Sequence, residues 1–167
     1  MVRHLRSASI LLALATPLPA PGADLAVTVT DGRGDPLPWA VVALEPAAGA
    51  AVGTWQAPPA VMRQQGMRFS PFVLPVRTGA TVSFPNLDDF RHHVYSFAKA
   101  KHFELRLYGQ DETKSETFDR PGVVPLGCNI HDNMLSFIYV TDCPVYAVTD
   151  SLGEARFEEL DLQLADA

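Results

Sequence analysis

Between Gly127 and Met134 the chain reads Gly-Cys-Asn-Ile-His-Asp-Asn-Met, which sets Cys128, His131 and Met134 three residues apart. His92 lies well upstream, at the head of the stretch His-His-Val-Tyr-Ser-Phe97. One thiolate, two imidazoles and a thioether form the donor set that holds copper in blue electron-transfer sites. The spacing Cys-x2-His-x2-Met lets one tight loop between two strands aim three donors at one point. The fourth must come from a neighbouring strand, where His92 is well placed. The thiolate supplies the soft, covalent bond that favours copper, two neutral imidazoles complete a trigonal plane, and a distant thioether tunes the potential weakly. Such a set leaves no position for water or substrate, so it moves electrons instead of hydrolysing bonds. Each residue alone has a plainer explanation, since Met often fills gaps in a core and a single His or buried Cys is often structural. The joint spacing, directly before a strand, separates this pattern from those cases.

The second cysteine, Cys143, raises the possibility of a disulfide with Cys128. Residues 135–141 (Leu-Ser-Phe-Ile-Tyr-Val-Thr) are β-branched and aromatic, without Gly or Pro, and predict a strand. Seven extended residues span roughly 23 Å, whereas bridged cysteines keep their Cα atoms within about 7 Å. The two thiols are therefore expected to stay apart, with Cys143 a free thiol.

The elements that must position the donors are short strands. Fourteen prolines and eleven glycines break the chain into brief segments with no long helix. Residues 25–30 and 39–44 read as a hairpin around the turn Asp31-Gly-Arg-Gly-Asp-Pro36, an edge unit beside the main sheet. Residues 46–60 form an Ala/Pro/Gly-rich loop or linker. Strands are expected at 72–76 and 81–84, with Val82 and Phe84 inward, and at 92–97. Residues 103–107 fit a strand or a short helical turn, and 110–116 a charged loop. Short strands at 117–119 and 123–126 flank the turn at Arg120-Pro-Gly122, and strands at 135–141 and 145–149 complete the series. Tyr95, Phe97, Phe103, Tyr108 and Phe137 are expected in the core. The tail is expected to fray or form a short helix over 158–167, although 155–157 could start another hairpin. Regular short strands of this kind predict an all-β fold, a sandwich or Greek-key barrel.

Residues 1–22 carry Arg3 and Arg6, an apolar run at 8–14 and small residues at 13–15 and 20–22, which together predict a secretory signal peptide. Cleavage after Ala15 or Gly22 fits, the latter better. The apolar run is too short to span a bilayer and no later stretch is long enough, so no integral membrane segment is expected. Removing 22 of 167 residues leaves about 145, enough for one domain with a real core. Without Arg3 and Arg6 the formal charge of −6 becomes −8. An acidic surface argues against nucleic acid and favours a basic partner face. The expected organisation is thus a signal peptide (1–22), an N-terminal β-hairpin and linker (23–59), a copper domain (60–150) and a short tail (151–167).

Thr81-Val-Ser-Phe-Pro-Asn86, His92-His-Val94 and Cys128-Asn-Ile-His131-Asp-Asn-Met134 resemble the cupredoxin pattern of plastocyanin and amicyanin. The stretches His92–Phe97, Phe103-Glu-Leu105, Leu107-Tyr108 and Pro121-Gly-Val-Val-Pro-Leu-Gly-Cys-Asn-Ile-His-Asp132 are similar, more closely, to the plastocyanin-like methylamine utilisation proteins. The resemblance covers roughly residues 60–153. It implies a cupredoxin-like Greek-key sandwich, here with an added N-terminal hairpin. It also implies one type 1 copper held by His92, Cys128, His131 and Met134, a periplasmic monomer, and redox partner proteins on either side of the electron's path. In that pattern the ligand His lies six residues after the loop Asn, which selects His92 over His93. His93 stands where the family has an Asn that braces the ligand loops, and it can hydrogen-bond in its place, form an electron-entry contact or be inert.

Other residues carry weaker signals. Asp88, Asp89 and Asp132 could bind a hard cation, but without a dense oxygen-donor loop they fit turn caps or an acidic rim. His102 with Lys99 and Lys101 makes a short basic patch, most simply a solvated loop. No catalytic triad order, phosphate loop or dinucleotide motif supports an enzyme. Two rival readings stand beside the electron carrier. One is a copper-handling protein that uses the same ligands without redox cycling. The other is a metal-free interaction or carbohydrate-binding module, suggested by Trp39 in the N-terminal hairpin.

Overall fold

In a computed structural model the described residues are 23–45 and 56–160. The signal-peptide reading, residues 46–55 of the linker and residues 161–167 of the tail lie outside them. Thirteen strands are present: β1 (Ala23–Thr28), β2 (Val41–Leu44), β3 (Arg63–Gln64), β4 (Phe69–Ser70), β5 (Val73–Arg77), β6 (Ala80–Pro85), β7 (His92–Phe97), β8 (His102–Tyr108), β9 (Thr113–Phe118), β10 (Gly122–Gly127), β11 (Leu135–Thr141), β12 (Val145–Val148) and β13 (Glu154–Leu160). No helix among the described residues is long and apolar enough to cross a membrane.

The main body is a sandwich. One layer is a five-stranded sheet in the order β5-β11-β10-β7-β8, antiparallel except for the parallel pair β5 and β11. The other is built on the pair β6 and β9, extended by single bridges from Val61 and Gln64. After the β7–β8 hairpin the chain crosses to the other layer as β9 and returns as β10 beside β7, a Greek-key path. Alternation decides which side chains face inward. On β10 Val124 and Leu126 are buried, and on β11 Ile138 and Val140, with the residues between them pointing out. Opposite them lie Val82 and Phe84 of β6, Phe118 of β9 and Met62, all fully buried. Phe103 bridges the layers, its ring 5.9 Å from Phe84 and 5.7 Å from Phe118. Each such aromatic removed from water contributes about 2–3 kcal/mol.

The all-β expectation holds, and the strand at 135–141 is as expected. Residues 103–107 belong to a strand, not to a helical turn. Residues 113–116 of the expected charged loop are four of the six residues of β9. That strand shows a single buried residue, Phe118, because it lies on the two-stranded layer with its other face toward solvent. Its pairing to β6 includes a hydroxyl contact of 2.9 Å between Thr81 and Thr117.

The N-terminal segments depart from the hairpin expectation. The turn is real: the Asp31 carboxylate accepts from the Arg33 and Asp35 N–H groups, and Thr30 bridges Pro36. Pro36 and Pro38 then bring no N–H to a ladder, and Trp39 takes a left-handed backbone (φ 60°) that turns the chain away. The arms therefore pair elsewhere, β1 with β13 and β2 with β12. Correspondingly, residues 154–160 are a strand: 155–157 are extended, as a further hairpin would need, and 158–160 continue the strand instead of fraying or turning helical. Val145, Ala155, Phe157 and Leu160 form a second small core with Val27, Val42, Leu44 and Ala147. The buried Thr149 fastens it: its hydroxyl accepts from the Ala40 N–H and donates to the Leu37 carbonyl.

Gly153 makes this closure possible. Its φ of +72° is left-handed, and a Cβ there would lie 2.4 Å from the Val29 carbonyl oxygen and 3.0 Å from the Leu37 nitrogen. Strain and backbone overlap act together, so Gly153→Ala is expected to lose about 2 kcal/mol or more of unfolding free energy. Urea denaturation checks this, and an unchanged midpoint would refute the close approach.

Candidate metal centre

Two loops meet at one end of the five-stranded sheet. Residues 86–91 lead from β6 into β7 and deliver His92. Residues 128–134 join β10 to β11 and carry Cys128, His131 and Met134. The second loop begins beside the first because Gly127 pairs with Tyr95 on β7 and with Leu135 on β11.

Asn86 shapes the first loop from inside. It is fully buried, its Nδ2 donates to the carbonyls of Phe90 (2.8 Å) and Tyr108 (3.0 Å), and its Oδ1 accepts from the Asp88 N–H. Asp88 then faces His92: its Oδ2 is 2.7 Å from His92 Nε2. The same carboxylate accepts from the Gly66 N–H (2.7 Å) and the Met67 N–H (3.1 Å) at the tip of the β3–β4 hairpin. Burial pushes the Asp88 carboxyl up, but the bonds from His92, Met67 and Gly66 outweigh it and hold it below its usual value. Asp88 thus accepts from Nε2 of His92, and in the neutral imidazole that pairing leaves the lone pair on Nδ1.

That Nδ1 is the telling atom. His92 is fully buried, and Nδ1 has no hydrogen-bond partner. An orphaned buried polar atom costs about 1–3 kcal/mol. One donor atom each from His92, Cys128 and His131 all lie within 4.8 Å of one another, with Cys128 Sγ and His131 Nδ1 at 3.9 Å. Donors on one ion stand at most about 4.4 Å apart across it, so the trio sits within a few tenths of an ångström of a bonding arrangement. The two imidazole centroids are 5.0 Å apart, and the Phe90 ring lies 5.1 Å from one and 5.4 Å from the other. Met134 is buried in the same core as Cys128, and its N–H donates to the His131 carbonyl at 3.0 Å, closing the turn. A soft thiolate with two imidazoles fits copper. Among the described residues no second group of three His, Cys, Asp or Glu donors converges.

The remaining expectations resolve individually. The ladder to β8 shifts register between His92 and Val94, and alternation along the strand separates the two histidines. His93 turns to the outer face, where it is buried with Nε2 2.8 Å from Glu104, a bond that holds the Glu104 carboxyl below its usual value. Both cysteines are free, and Cys143 lies 3.7 Å from a Glu45 oxygen. Asp89 and Asp132 are exposed. Lys101 is paired with Glu116 at 2.6 Å, and His102 packs edge-on to Phe97. Of the aromatics expected in the core, Phe103 and Tyr108 are buried, Tyr95 and Phe137 are half-buried and Phe97 is 76% exposed. Sequence reasoning missed Asp88 as the partner of His92 and Phe90 as the ring against both imidazoles. The signal available was an acid four residues before His92, and the single aromatic of the 86–91 loop.

His131 is the accessible member of the group. It borders a cleft of about 290 Å³ lined by Gly66, Met67, Arg68, Asp132 and Asn133. Leu87, Phe90, Ile130 and Leu135 are exposed on the two ligand-bearing loops and the start of β11.

No family model matches the chain, and no curated protein does. Solved structures similar to it include a purple cupredoxin from Nitrosopumilus maritimus, at 20% identity over 49% of this chain and 99% of that one, with a TM-score of 0.44. An amicyanin variant in its reduced Cu(I) form at pH 4 is 20% identical over 55% of this chain and 98% of that one, with a TM-score of 0.46. A copper-containing nitrite reductase from Thermus scotoductus SA-01 is 31% identical over 60% of this chain, with a TM-score of 0.48. This chain spans only 27% of the reductase.

The Asp88 clamp is testable without metal. Asp88→Ala should cost about 2 kcal/mol in urea unfolding of the metal-free chain, since three donors lose a charged acceptor. Parental stability in that variant would mean that the clamp carries no energy.

Proposed function

We propose that the chain is an exported cupredoxin-type electron carrier with one type 1 copper. His92, Cys128 and His131 would hold the metal, with Met134 as a weaker fourth donor. The observation that carries the reading is the buried His92, its Nδ1 without a partner, in a group with Cys128 and His131 whose donor atoms lie within 4.8 Å of one another. When bound, copper would supply a one-electron couple at a fixed potential.

The protein's own part is to hold its donors still. Asp88 fixes the tautomer and the ring plane of His92, as outer partners of metal-ligating histidines do. Asn86 fixes the loop that carries Asp88, and the β10–β11 ladder fixes both ends of the second loop. Donors so restrained need little rearrangement when an electron arrives or leaves. The half-exposed His131, near apolar side chains and the cleft beside Arg68, is the natural contact for a redox partner. A three-plus-one donor set leaves no open position for a substrate, which favours a carrier over an enzyme. Export rests on the sequence of residues 1–22.

Copper loading tests the reading directly. With Cu(II) the chain should absorb strongly in the visible through its thiolate, and Cys128→Ser should abolish the colour. His92→Ala should abolish it too, while His93→Ala should keep it. Copper at a thousandfold excess over its dissociation constant should raise the unfolding free energy by about 4 kcal/mol, and not in Cys128→Ser. Tight Cu(I) binding without colour would indicate copper handling instead. No effect of copper on colour or stability would leave a metal-free β module.

A further inference from the structure

We propose that the outer face of the five-stranded sheet carries a second electron contact, remote from His131: a row of rings ending in an aromatic, basic tip that receives the acidic face of a redox protein. This rests on the electron-carrier reading above.

The row runs along β7 and across to β8. The ring centroids are 5.6 Å apart from His93 to Tyr95, 5.1 Å from Tyr95 to Phe97 and 5.3 Å from Phe97 to His102. Its inner end touches the backbone beside two of the donors. His93 follows His92 directly, and Tyr95 pairs with Gly127, which precedes Cys128. A Cβ at position 127 would lie 2.8 Å from both Cζ and the hydroxyl oxygen of Tyr95, so glycine is what lets this ring lie flush on the strand. The Tyr95 ring therefore rests directly against the peptide leading into the thiolate.

The outer end is open. Phe97 is 76% exposed, the highest value among the exposed large apolar side chains, and Val123 is 55% exposed. If the row served packing alone, aromatic pairing on a sheet face would be expected to bring its last ring under cover. Instead that ring is held edge-on by His102 and left to solvent, as an interaction site would be. Charge selects the partner. Lys99, Lys101 and Arg120 lie on the 98–101 and 119–122 turns, which meet where Gly122 approaches Ala100. Against them stand Glu116, bound to Lys101, and Asp119. The tip is thus net positive on a chain of net charge −6, and complementarity calls for an acidic face. In the transfer the reduced partner loses one electron and the copper centre gains it, with no bond made or broken and no proton moved. The same path serves in reverse for an oxidant.

Two measurements test this, one of them without copper. Hexacyanochromate(III), a paramagnetic trianion, should broaden the backbone amide resonances of residues 98–102 in the metal-free chain, and Lys99→Glu should remove that broadening. No broadening at the tip, or broadening confined to residues 128–134, overturns the proposal. In the reduced, copper-loaded chain, oxidation by hexacyanoferrate(III) should slow about tenfold in Lys99→Glu. It should also slow in the exposed variant Phe97→Ala and in Tyr95→Leu, while the visible spectrum of the oxidised form stays that of the parent. Parental rates in Phe97→Ala and Tyr95→Leu overturn the ring path even if the anion binds at the tip. A colourless copper-loaded chain overturns the electron-carrier reading itself, an outcome distinct from a coloured chain with unaltered rates.

Discussion

The Asp88 carboxylate joins three parts of the molecule that would otherwise be independent: the His92 imidazole, the loop begun by Asn86 and the tip of the β3–β4 hairpin. A charged acceptor shared by an imidazole and two amides is worth more than a neutral one, and it is directional. Its effect on His92 is chemical as well as mechanical. By accepting from Nε2–H it holds the proton on that nitrogen and leaves Nδ1, which lacks any protein partner, as the one with the lone pair in the neutral ring. Removing the carboxylate would free the ring to rotate or change tautomer, and the convergence with Cys128 and His131 would no longer be enforced. Everything the site can do follows from that restraint.

The sandwich supplies the second half of the restraint. A donor loop between two paired strands can move only as far as its ends, and Gly127 and Leu135 are locked in register with each other and, through Tyr95, with β7. Beneath them the core packs Cys128 and Met134 among Val94, Leu126 and Ile138. Close-packed interiors resist displacement of even one methylene. The donors therefore sit on a closely packed part of the fold, while His131 and the exposed apolar side chains on the loops occupy its rim.

Legibility in the sequence followed the range of the interaction. The Cys-x2-His-x2-Met loop and β11 are local patterns: β11 was readable to the residue, and the loop's Cys128 and His131 do converge with His92. The choice of His92 over His93 came from the family's spacing after the loop Asn, and alternation along β7 puts the neighbouring His93 on the outer face against Glu104. What could not be read were pairings between distant segments. Residues 154–160 show Ala155 and Phe157 in alternation, but their acidic neighbours suit a helix equally, and only the arrival of β1 makes them a strand. β9 was hidden for a related reason: with five of its six residues polar, its strand character comes from β6. Phe97 misled in the other direction, since hydrophobicity predicts burial only on average.

The pairing of β1 with β13 and of β2 with β12 around one small core has a consequence for the site. Trp39, exposed and in a left-handed backbone, packs its ring 5.2 Å from Phe72, which in turn lies 5.5 Å from Phe137 on β11. β11 is the strand into which the Cys128–Met134 loop runs, and Ser136 beside it is fixed by hydrogen bonds to the Pro71 and Phe72 carbonyls. The N-terminal unit thus bears on the far side of the strand that anchors the donor loop. Backbone strain of the kind seen at Trp39 persists only where the surroundings over-determine it. Here the surroundings are the Thr149 bonds to residues 37–40 and the Phe72 ring. The unit is accordingly better understood as a buttress for the β5–β11 edge than as a separate module appended to the sandwich.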